Sequence, residues 1–162
     1  MERIKLLQQD AAFTALLDAI ERAEADRIYC RHGLSHMLDT ARIAWIIALE
    51  NDIHLKKDVV YAAALLHDLG RAKQHSVQED HDTAALADCE CMLRRAGFAD
   101  DETGAILEAI RDHGDKTTPD IALPALSMLL RRADNLSRNC WHCSAAGECY
   151  WPRERRNHHI SM

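Results

Sequence analysis

Glycine and proline are scarce in this chain of 162 residues, at six and three copies. With Ala, Leu, Glu and Arg plentiful, that balance favours helices over strands. No apolar run reaches the roughly 18 residues of a membrane span. Met1 to Gln9 is charged and amphipathic and lacks the apolar segment of a signal peptide. There is no internal repeat and no low-complexity linker. A broadly basic surface is missing too, since the formal net charge is −6. That excludes general binding of a nucleic-acid duplex, and any phosphate site must be a local cationic patch or metal-based. These absences predict a cytoplasmic protein with one main domain and a small-molecule partner. The oligomeric state is not encoded legibly.

What is present is an apolar content of 48%, enough for a core, together with ten histidines and six cysteines. With no sign of secretion, the cysteines read as reduced thiols, and clustered thiols suggest metal. Periodicity predicts an all-α chain of about six helices. The first covers Ile4 to Ala25, with Leu6, Phe13, Leu16, Leu17 and Ile20 on one side. The second is capped by Ser35 and runs to about Glu50; it is apolar almost all round, so it is expected to be buried. Asp58 reads as the N-cap of a third, Val59 to Leu69, with Gly70 as its stop. A polar link, Arg71 to Asp80, follows. Later helices are predicted over about His81 to Ala96, Asp101 to His113, and from Pro124 to near Arg138. The expected organisation is an N-terminal helix in 1–29, a core domain in 30–138 and a Cys-rich appendage in 139–162.

The strongest local signal is His67-Asp68 at the end of an otherwise apolar helix. A buried ionised carboxylate without a partner costs several kcal/mol, roughly, so Asp68 needs a cation or a strong hydrogen-bond partner. His67 adds a nitrogen donor. His36 lies near the start of another apolar helix, and Asp134 follows the run Met128-Leu129-Leu130. Two His and two Asp make a mixed N/O donor set suited to Mn, Fe, Mg or Zn. Each of the four, taken singly, can also be read as a satisfied core residue or a cap, and His113 as a helix C-terminal cap.

In order, these residues stand in HGLSHMLDTARIAW (His36), AALLHDLGR (His67 and Asp68) and RRADNLSR (Asp134). The ordered set resembles the HD superfamily of metal-dependent phosphohydrolases over roughly residues 31 to 138. The resemblance implies a helical-bundle HD domain and hydrolysis of a phosphoester or phosphoanhydride bond, in a nucleotide. Length and flanking pattern are most similar to the small symmetrical diadenosine tetraphosphate hydrolases. HD-GYP cyclic-dinucleotide phosphodiesterases are a weaker resemblance, since no GYP-type sequence is present. By that analogy His36, His67, Asp68 and Asp134 hold one metal. Asp68 bridges to a second held by His81 and His113, and a metal-activated hydroxide attacks phosphorus. His75 competes with His81 for its role. Candidates to hold phosphate oxygens are Arg71 and Lys73, just after the His-Asp pair, and Arg138, four residues after Asp134. Other readings are a one-metal nucleotidase, a non-catalytic nucleotide-binding regulator and a di-iron oxygenase.

Cys140, Cys143 and Cys149, in NCWHCSAAGECYWP, form a second candidate metal site for structural zinc or an iron–sulfur cluster. A fourth ligand is needed, from Cys30, His142, His158 or His159; Cys30 is favoured, because it lies just before the first core helix, where the tail can pack back. Trp141, Tyr150 and Trp151 read as anchors for this tail, or as surfaces for a base. Cys89 and Cys91 read as ordinary helix residues.

Overall fold

The computed structural model describes residues 1–74, 84–115 and 117–160. Among these, every regular element is helical. The α-helices are α1 (Glu2–Gln8), α2 (Ala11–Ala23), α3 (Leu34–Glu50), α4 (Lys57–Leu66), α5 (Arg71–Gln74), α6 (Leu86–Arg95), α7 (Asp100–Gly114) and α8 (Ala125–Leu136). No described helix is long and apolar enough to cross a membrane.

Four helices form the frame: α3 packs on α4, α4 on α7, α7 on α8, and α8 back on α3. The arrangement follows from α4. Val59, Val60 and Ala62 to Leu66 are all buried. Ala62, Ala63 and Ala64 are small enough to let neighbouring helices approach closely, and each large apolar side chain buried contributes about 1.5–3 kcal/mol. α1 packs on α4 and α6, while α2 packs on α5, so Ile4, Leu7, Phe13, Leu17 and Ile20 join the same core.

The structure corrects several expected boundaries. The first helix is two, because Asp10 interrupts it. Its Oδ1 accepts a hydrogen bond from the Ala12 amide at 2.9 Å and so caps α2, while Arg95 holds the same carboxylate at 2.7 Å. The N-cap of α3 is Gly33, not Ser35, and α3 is not buried all round, since Leu49 is exposed. Lys56, not Asp58, caps α4. Asp58 sits in the first turn, where its charge suits the helix dipole and pairs with Arg3 at 2.7 Å. The expected polar link after Gly70 begins as the short helix α5.

Candidate metal centre

All the site's groups converge on one end of the helical frame. His36 lies in the first turn of α3, His67 is the C-cap residue of α4, and His113 and Asp134 fall in the last turns of α7 and α8. Three helix C-termini therefore point their partial negative charge at this end, which favours a cation there. Asp112 and Arg131 fix the relative setting of α7 and α8. The Asp112 carboxylate accepts from the Ser127 hydroxyl at 2.6 Å, and the Arg131 guanidinium donates to the Asp112 carbonyl at 2.7 Å.

His36 Nε2 lies 3.2 Å from Asp68 Oδ2, 3.3 Å from Asp134 Oδ1 and 3.2 Å from His67 Nε2. His67 Nε2 lies 3.1 Å from Asp68 Oδ2 and 3.9 Å from Asp134 Oδ1. Four donor atoms from three helices and the turn after α4 thus converge, with His36 Nε2 within 3.3 Å of the other three. A ring nitrogen of His113 belongs to an overlapping group with His67 and Asp68, their donor atoms all within 4.8 Å of one another.

The outer ring nitrogens explain how the imidazoles are aimed. His67 Nδ1 donates to the Ala64 carbonyl at 2.8 Å, satisfying a carbonyl left open at the helix end. His113 Nδ1 does the same to the Ile110 carbonyl. His36 Nδ1 donates to Ser137 Oγ at 3.1 Å, and that hydroxyl donates in turn to the Asp134 carbonyl at 2.7 Å. With protons on Nδ1, the Nε2 lone pairs of His36 and His67 face the carboxylates, the tautomer a metal requires.

The carboxylates are divided in the same way. Arg71 Nε donates to Asp68 Oδ1 at 2.7 Å, and Arg138 donates to Asp134 Oδ2 at 2.9 Å. That leaves Asp68 Oδ2 and Asp134 Oδ1 for the histidines. Asp68 Oδ2 is buried with only the His36 and His67 ring nitrogens beside it, at 3.2 and 3.1 Å, so its charge must be met by a proton or a cation held there. Residues and chemistry therefore fit a divalent metal held by two nitrogens and two oxygens.

Burial lowers the His36 pKa, but the Asp134 and Asp68 carboxylates outweigh it and push it up to about 9. Burial raises both aspartates, yet their neighbours hold them well below the usual carboxylate range: His67, His36 and Arg71 for Asp68, His36 and Arg138 for Asp134. Without metal the cluster therefore retains a proton on His36, and a metal must displace it.

The centre opens into a cleft of about 380 Å³ whose wall includes Arg27, His32, Arg71, His113, Arg138 and Arg155. The Arg138 guanidinium lies over the Trp151 ring at 4.1 Å and that of Arg155 at 5.0 Å, so Trp151 holds arginines at the rim. Arg138 also keeps one buried Nη1 donor with no acceptor. His32 is a cleft residue that sequence reasoning missed. Its Nδ1 and backbone amide both bond the buried Glu24 carboxylate at 2.7 Å, and burial holds its pKa below the ordinary histidine value.

Of the sequence candidates, His36, His67, Asp68, His113 and Asp134 are brought together, with Arg71 and Arg138 against the carboxylates. Lys73 is not on the cleft wall; its Nζ pairs with Asp88 at 2.5 Å. α5 supplies the reason, since two residues along a helix turn a side chain about 200° away from Arg71. His81 and His75 lie outside the described residues.

Residues 33–139 match the HD domain family. A Clostridium beijerinckii protein described as uncharacterized is 32% identical over 160 residues, 99% of each chain. Ribonuclease Y of Acidothermus cellulolyticus is 34% identical over 91 residues, 56% of this chain and 16% of that protein. Ribonuclease Y of Geobacter metallireducens is 32% identical over 122 residues, 75% of this chain and 21% of that protein. The chain thus spans about a fifth or less of the length of these two ribonucleases. No solved structure matches the chain significantly.

Proposed function

This chain belongs to the HD-domain family, and from that premise we propose that it is a metal-dependent phosphohydrolase acting on a phosphoester or phosphoanhydride bond of a nucleotide. The observation that carries the reading is the buried Asp68 Oδ2 facing the ring nitrogens of His36 and His67, with Asp134 alongside. His36, His67, Asp68 and Asp134 would hold the first cation. A bound divalent metal would lower the pKa of a coordinated water and polarise the phosphoryl group.

The chain's own groups do the rest. Arg71 and Arg138 hold the outer oxygens of the two aspartates, keeping the inner ones ionised and aimed. Arg138, Arg155 and Arg27 line the cleft beside the centre and offer guanidinium groups to phosphate oxygens. His32, kept neutral by burial and held through Nδ1 by Glu24, is placed to accept or supply a proton at the cleft. A second cation would use His113 and Asp68, on the pattern of the symmetrical diadenosine tetraphosphate hydrolases, with His81 as its further ligand.

The likeness to ribonuclease Y favours one other substrate within the same chemistry, the phosphodiester bond of RNA. The deciding experiment is metal analysis of purified protein followed by phosphate or nucleotide release from mononucleotides, dinucleoside polyphosphates and short RNA. Metal-dependent hydrolysis of one of these classes, abolished in Asp68→Ala, is the expected outcome. Full turnover by Asp68→Ala would refute the assignment.

A further inference from the structure

Cys30 precedes α3, whereas Cys140, Cys143 and Cys149 follow α8, yet all four line one cavity of about 400 Å³. Each is a free, half-buried thiol. His158 and His159 are not on that wall, which leaves Cys30 and His142 to complete the C-x2-C-x5-C run, and of these Cys30 ties it to the start of α3. Thiols bind a metal as thiolates, and a cation among them compensates their charge.

The segment they belong to lacks another source of order. Beyond α8 its regular structure is two short 3-10 turns, Cys140–His142 and Arg153–Arg155, and among its described residues Ala145 alone is buried. Its polar wiring is nevertheless specific. Arg156 donates to the carbonyls of Ala146, Cys149 and Trp151 at 2.6 to 2.7 Å. Asn157 donates to those of Asn135 and Arg138 at 2.7 and 2.8 Å. Hydrogen bonds exchanged with water give little net stability, and a short segment without a core needs a crosslink such as a metal.

We propose that Cys30, Cys140, Cys143 and Cys149 form a four-thiolate metal centre, taking either one zinc ion or an iron–sulfur cluster, that fastens the tail to the start of the HD domain. Binding releases the thiol protons to solvent and leaves four sulfur ligands on the metal. The centre shares a wall with the catalytic cleft. Cys30, Arg138, Tyr150 and Trp151 line both cavities, so the clasp sets the position of Trp151 and the arginines on it. The thiolate site stands on its own cysteines; its effect on the cleft rests on the phosphohydrolase reading.

The test uses the full chain purified without oxygen, with zinc, iron and acid-labile sulfide measured per chain in wild type, Cys143→Ser, Cys30→Ser and Asp68→Asn. One zinc, or labile sulfide with a visible charge-transfer band, should remain in Asp68→Asn, whose other centre is emptied, and each serine variant should hold one zinc, or that sulfide, less than wild type. Sulfide separates the cluster from zinc. Because serine variants can fail to fold, wild-type protein is also titrated with a mercurial in the presence of a metal indicator. Stoichiometric release, with helical circular dichroism retained, supports the site. Wild-type protein with neither sulfide nor mercurial-releasable zinc, or folded serine variants that keep the full amount, overturns it. Asp68→Asn reports on the other centre separately, so failure of one assignment is distinguishable from failure of the other.

Discussion

Asp68 and Asp134 each present one oxygen to an arginine and the other to the histidines, and this division is what makes the cluster a site. A carboxylate with both oxygens bound to guanidinium groups would be a structural ion pair; one whose inner oxygen meets only imidazole nitrogens in a buried pocket is poised for a cation. Ser137 works one step outside, accepting from His36 Nδ1 while donating to the Asp134 carbonyl. Removing that hydroxyl frees the His36 ring to rotate and its tautomer to change. Ser137→Ala is expected to keep the fold and weaken metal affinity about 10- to 100-fold, read by competition with a chelator; unchanged affinity would remove Ser137 from the site. His67-Asp68 was legible in the sequence because a polar pair at the end of an apolar run has few innocent explanations. Glu24 and His32 were not, since their pairing depends on how the chain turns between α2 and α3.

Helices were legible where burial sets their period and obscure where a single side chain breaks them. α4 and α8 follow from their apolar faces. Asp10 stands among residues that all suit a helix, and only its capping bond to Ala12 and its pairing with Arg95 divide α1 from α2. Lys73 was misplaced for a related reason: read as a loop, the stretch after Gly70 carries no phase, whereas α5 imposes one. Gly97 ends α6, and the structure supplies the mechanism. Its φ is +84°, its amide donates to the Arg94 carbonyl at 3.1 Å, and the amide of buried Phe98 donates to that of Leu93 at 3.0 Å. A Cβ at Gly97 meets nothing within 4 Å, so Gly97→Ala isolates the backbone cost. It should destabilise the protein by about 1–2 kcal/mol without changing metal content, as read by chemical denaturation.

Over the whole molecule, the two termini of the fold bear on its centre. At one end α1 is tied to α4 and α7 by charge. Glu102 accepts from Arg3 and, at 2.7 Å, from Lys56, while Arg3 also bonds Asp58 at 2.7 Å. The hydrogen bonds from Arg3 and then Lys56 hold the Glu102 pKa down at about 2, from an ordinary 4.5. A depressed carboxylate stabilises the fold above its unfolded pKa and loses that contribution as pH falls through its folded one. Acid unfolding should therefore steepen between about pH 4.5 and 2, and Glu102→Gln should flatten that part of the profile while lowering stability at pH 7. An unchanged profile would show that α1 is held by its apolar contacts alone. At the other end the Cys-rich tail lines the cleft; its three cysteines were legible as a run, and Cys30, more than a hundred residues from Cys140, as the thiol just before the first core helix.

The central claim, a cation held where α3, α4 and α8 meet, is tested most directly by counting it. Metal per chain is measured in wild type and in His36→Ala, Asp68→Asn and Asp134→Asn, each checked for helical content by circular dichroism. The account predicts that the three folded variants lose the same metal, and with it hydrolysis of the nucleotide substrate. Variants that fold, retain wild-type metal and still turn over would contradict it.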